Sequence, residues 1–102
     1  MITVQRILFL KNVPLFSTMP PDTLAWVAEA ADEVNYLAGQ AIFEKGSRGD
    51  SMYVIADGSV SIHDEGETIA ELPQGAFFGE LSILDGETRS ASAKAKSDCL
   101  LL

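Results

Sequence analysis

The chain has 102 residues, 47% of them apolar, and a formal charge of −8 from seven basic and fifteen acidic side chains. That length makes one domain with enough material for one core, and that charge excludes non-specific binding to nucleic acid or an anionic membrane, since both need many Lys and Arg against phosphates. A single cysteine, Cys99, excludes an internal disulfide; with no apolar run long enough to span a bilayer and no signal-peptide core with a cleavage site, the reading is a cytoplasmic domain.

Residues 1–32 read as helical. Ile2, Val4, Ile7, Leu8 and Leu10 are spaced for the apolar face of a short helix, with Arg6 and Lys11 toward solvent and Pro14 as its stop. Val13, Leu15 and Phe16 form an apolar plug at the turn. A second helix is expected to start over 18–22, where Pro20 and Pro21 preset φ and Asp22 suits the positive end of the dipole; Leu24, Ala25, Val27, Ala28 and Ala31 follow. Trp26 is expected to pack against the sheet structure that follows.

From residue 33 the pattern changes to short β-rich pieces bounded by Gly, Asp or Ser, which is how an all-β barrel or sandwich reads. Strands are expected at 33–37, 41–44, 51–56, 59–63, 68–72, 76–78, 90–96 and 98–102. Asp57-Gly58 predicts a two-residue type I′ hairpin, with Met52, Val54, Ala56, Val60 and Ile62 pointing inward around it; residues 64–67 predict a second, acidic hairpin tip. The fold class is therefore mainly β: an eight-stranded jelly-roll barrel over 33–102 behind the N-terminal helices, all within one domain and without an internal repeat.

A jelly roll raises the question of metal enzymes, but the only histidine is His63, at a strand end beside the acidic tip, so no histidine cluster is available to hold a metal. No serine sits in a nucleophile elbow, and no catalytic apparatus is legible. Arg48-Gly49-Asp50 spells an adhesion tripeptide, but turn chemistry accounts for it.

The densest chemistry lies in residues 77–91. Gly79 lets the backbone turn sharply, after which residues 80–84 can form a short helix whose N–H groups suit an anion. Glu80 cannot pair with an anion but accepts hydrogen bonds from hydroxyls such as those of a ribose. Nine residues on, Arg89 carries a planar fork that matches two phosphate oxygens.

Phe78-Gly79-Glu80-Leu81 followed by Arg89-Ser90-Ala91 resembles the phosphate-binding cassette of the cyclic-nucleotide-binding domains found in cAMP-dependent protein kinase regulatory subunits, bacterial catabolite activator proteins and cyclic-nucleotide-gated channels. Leu10 to Phe16, Asp50-Ser51-Met52-Tyr53-Val54-Ile55 and Asp57-Gly58-Ser59-Val60 extend the resemblance in family order. It implies that Glu80 accepts the ribose 2′-hydroxyl, Arg89 pairs with the exocyclic phosphate oxygens, and backbone N–H groups near Gly79, Leu81, Ser82 and Ser90 complete the cradle. Phe78 and Ala91 complete the expected ligand-binding set, Ala91 being small because the ligand lies close.

Leu81 and Leu84 are expected to relay cassette movement to the N-terminal helices. The ligand is a cyclic nucleotide, cAMP ahead of cGMP because serine rather than threonine follows the arginine; no other cofactor is implied. Thr88 stands where a proline often precedes the arginine, and Asp85 and Glu87 make the site less positive. The family continues into helices that cover the base, whereas this chain stops at Leu102, so these lid helices are expected to be absent and self-association through the uncovered flank is expected. The resulting expectation is a non-enzymatic sensor that relays binding to an output domain in a larger protein; the alternative is a degenerate domain of the same fold serving as an interaction scaffold without nucleotide.

Overall fold

Residues 1–49, 51–79 and 88–102 are described by the computed structural model; the expected cassette helix, with Glu80, Leu81 and Ser82, lies outside them, as does Asp50. The chain divides into a helical unit, Met1–Glu33, and a β unit, Val34–Leu102.

In the helical unit, α1 (Thr3–Lys11) and α2 (Pro21–Ala30) pack on each other. Pro21 occupies the first turn of α2, where its missing N–H costs nothing, and Asp22 sits in the same turn. Leu24 and Ala28, one turn apart, are buried, as are Leu10, Val13 and Phe16. Four expectations fail here, the first being Leu15, which is 44% exposed beside the buried Val13 and Phe16. The apolar residues of α1 surround the helix instead of lining one face, so the side carrying Leu10 is covered while Val4 and Leu8 stay exposed. Trp26, expected to be packed, is 69% exposed. Arg6 does not face solvent: its Nη1 donates to Ala28 O at 2.9 Å and Ala31 O at 2.6 Å, and its Nη2 to Glu33 Oε1 at 3.3 Å. Helix α2 has no glycine to turn its C-terminus, and Arg6 supplies those carbonyls with donors and a positive charge.

The β unit contains β1 (Val34–Tyr36), β2 (Ala41–Phe43), β3 (Tyr53–Asp57), β4 (Val60–Asp64), β5 (Glu67–Leu72), β6 (Phe77–Phe78), β7 (Ser92–Ala95) and β8 (Cys99–Leu101). They form two antiparallel four-stranded sheets, ordered β1-β8-β3-β6 and β2-β7-β4-β5. Ile55, Val60, Phe78, Ala93, Ala95, Cys99 and Leu101 form the core, with Tyr36, Ile42, Phe43, Tyr53, Ile62, Leu72 and Ala76 packed against it.

Of the two expected hairpin turns, the acidic tip at residues 64–67 joins β4 to β5 as expected, and the other differs. Asp57-Gly58 does not close a hairpin, because β3 and β4 belong to different sheets; the turn carries the chain across. Gly58 has φ +88, and a Cβ there would lie 2.3 Å from the Asp98 carbonyl oxygen, so what looked like hairpin chemistry is a close crossing of two turns. The type I′ pattern falls instead on Glu65 and Gly66, with φ of 50 and 85, between the paired strands β4 and β5. The inward phase of β3 is likewise reversed. Tyr53 and Ile55 face the core, while Val54 and Ala56 are buried on the other face of the strand. A strand apolar on both faces carries no alternation from which to read its phase.

Candidate functional site

Beyond β2 the chain runs antiparallel to the segment entering β7. The Gly46 N–H donates to Arg89 O and the Arg89 N–H donates to Ser47 O, each at 2.8 Å, and Arg48 bridges Thr88. This pairing fixes the backbone of Arg89. Its side chain turns inward, leaving the residue only 6% exposed although the guanidinium is permanently charged. Nη1 donates to Gly79 O and Nη2 to Ser51 O, each at 2.7 Å, the short length of charge-assisted hydrogen bonds. The guanidinium carbon lies over the Phe43 ring, 4.2 Å from its centroid.

Gly79 is required twice. Its φ of +88 is a left-handed conformation, and a Cβ would come within 2.8 Å of Arg89 Nη1 and 3.1 Å of Ser51 O. The preceding residue, Phe78, is paired in register with Tyr53 and stacks on it, with ring centroids 5.2 Å apart. Phe43 completes the aromatic group at 5.9 Å from Phe78 and 6.2 Å from Tyr53. Burial, and secondarily the neighbouring Tyr53, holds the Tyr36 hydroxyl above its ordinary pKa. The result is a fixed, buried cation resting on an aromatic group that belongs to the core of the β unit, an arrangement that orients a guanidinium suited to an anionic group.

Comparison with known proteins decides the family. A model of the cyclic nucleotide-binding domain matches residues 33–102. The chain belongs to that family. The cAMP-dependent protein kinase regulatory subunit of Emericella nidulans is 37% identical over 92 residues, covering 88% of this chain and 22% of that protein; the chain thus spans about a fifth of the length of the curated relatives it matches. Among solved structures, the regulatory domain of Toxoplasma gondii PKA, crystallised with cAMP, superposes with a TM-score of 0.90 at 26% identity, covering 97% of this chain and 40% of that one. The regulatory subunit of a cAMP-independent protein kinase A from Trypanosoma cruzi, bound to guanosine, superposes with a TM-score of 0.86 at 26% identity, covering 97% and 39%.

Of the residues singled out from the sequence of this cyclic-nucleotide-binding domain, the structure brings Phe78, Gly79 and Arg89 together. Ser90 is exposed and Ala91 half-buried immediately after Arg89. Glu80, Leu81 and Ser82 fall outside the described residues. The sequence reading missed Phe43 and the Ser51 carbonyl. Phe43 was legible only as a strand residue, and a backbone acceptor leaves no trace in residue type. Among the described residues no group of three or more metal-ligating side chains occurs, and no helix is long and apolar enough to cross a membrane.

Proposed function

We propose that this chain is a non-enzymatic regulatory module that binds a cyclic nucleotide, cAMP in preference to cGMP, and relays binding to an output domain of a larger protein. The binding set is Phe78, Gly79, Glu80, Leu81, Ser82, Arg89, Ser90 and Ala91, with Arg89 pairing the phosphate and Glu80 the ribose 2′-hydroxyl. The observation that carries the reading is the buried Arg89 fork, locked to Gly79 and set on an aromatic wall; a surface arginine engaged in an ordinary ion pair would not be built in this way. The two relatives bound to ligands support a nucleoside-type ligand in this fold. Relay to an output domain is a population shift, and requires the ligand to favour one arrangement over the other.

A thermal melt with each nucleotide tests the reading, since a ligand at a hundred times its Kd stabilises the fold by about 2.7 kcal/mol. Stabilisation by cAMP at lower concentration than by cGMP is expected; the reverse order would overturn the selectivity. For Glu80→Gln, the loss of affinity should disappear with 2′-deoxy-cAMP. The second reading is a domain that does not respond to cyclic nucleotides, favoured by the relative described as cAMP-independent and bound to guanosine. Melting unchanged by either cyclic nucleotide would establish that reading.

A further inference from the structure

We infer that Phe43 is a positioning residue for the ligand's phosphate, acting as the platform that orients the Arg89 fork; this rests on the cyclic-nucleotide reading above. All five N–H donors of a guanidinium lie in its plane. The Phe43 ring, 4.2 Å from the guanidinium carbon, covers a face that makes no hydrogen bonds and leaves the donor edges to oxygens. Two donations, to Gly79 O and Ser51 O, fix positions along those edges, and a ring against the face opposes rotation about the line joining them. Phe43 is itself held. It ends β2, pairs with Ala93 of β7, and packs its ring against Tyr53 and Phe78. The small Ala93 opposite leaves room for the ring.

The interaction is between a cation and an aromatic quadrupole, so leucine can fill the volume but not replace the contact, whereas tyrosine keeps it. The wild type, Phe43→Leu and Phe43→Tyr are therefore titrated with cAMP, and the rotation of the Arg89 guanidinium is measured by side-chain NMR without ligand. Phe43→Leu should weaken cAMP binding measurably, by less than the roughly thirty-fold that the whole contact could supply because the contact already exists before ligand arrives, and accelerate the rotation. Phe43→Tyr should restore both. A leucine variant with wild-type rotation, or a tyrosine variant that loses as much as leucine, would overturn the inference. If wild-type protein itself takes up no cAMP, the functional reading fails, and the rotation measurements still decide whether Phe43 orients Arg89.

Discussion

Replacing Arg89 with lysine should destabilise the β unit before any ligand is added. The guanidinium joins two carbonyls from separate segments, Gly79 just after β6 and Ser51 just before β3, each at 2.7 Å. One ammonium on a flexible stem cannot hold both in the same geometry, so at least one of these bonds is released. A hydrogen bond to a charged group contributes about 1.5–3 kcal/mol, and the contact with Phe43 about 0.5–2 kcal/mol, part of which an ammonium keeps. With some relaxation around the site, a net loss of about 2 kcal/mol is expected, which lowers Tm by roughly 8–12 °C in a domain of this size. Because small domains have about 5–15 kcal/mol of stability, the variant should remain folded at room temperature, and its ligand binding can be measured. Melting followed by circular dichroism checks the estimate. A Tm within about 2 °C of wild type would refute the reasoning, because a shift that small is well below 1 kcal/mol.

Gly79→Ala should lower both stability and cAMP affinity, because the left-handed φ of +88 and the 2.8 Å approach to Arg89 Nη1 cannot both survive a methyl group; melting and titration of one sample read the two effects. Gly58→Ala meets a rigid backbone oxygen at 2.3 Å and should cost about 3 kcal/mol or more, read by denaturant unfolding. The hydrogen bond that the Lys45 ammonium donates to the Asp64 carboxylate holds Lys45 above its ordinary pKa, so the pair's stabilisation is fully present below the ordinary lysine range and is lost as pH rises through the raised value. The Tm difference between wild type and Lys45→Met should therefore shrink from pH ~9 to pH ~12, and be small and salt-sensitive throughout because both groups are exposed. Arg6→Ala removes the donors from the end of α2 and should speed hydrogen exchange at the Ala31 N–H, which bonds to Val27 O.

Strand existence was legible because the expected segments are bounded by residues that break a ladder, and each of the eight overlaps an observed strand, with β3, β4 and β5 running one residue past the expected bounds. Pairing was not. Asp57-Gly58 has hairpin composition, yet it crosses between sheets because the turn containing Asp98 lies against it, a contact forty residues away that no local rule reports. Glu65-Gly66 closes the actual hairpin with a non-glycine residue at positive φ, which propensity disfavours and the β4–β5 pairing imposes. The phase of β3 was lost because Val54, Ile55 and Ala56 are all apolar and all buried. In the site, residue type and spacing pointed to Gly79 and Arg89, whose chemistry is distinctive. Phe43 remained hidden because its role depends on which side chain comes to rest over its ring.

The most direct test of the cyclic-nucleotide reading is calorimetric titration of cAMP into the wild-type chain and into Arg89→Lys under identical salt. The wild type should bind one equivalent saturably, and the lysine variant should bind at least about tenfold more weakly, the loss expected when one charge-assisted bond of the fork is removed. Absence of binding by the wild type, or equal affinity in the two proteins, would contradict the assignment of Arg89 to the phosphate.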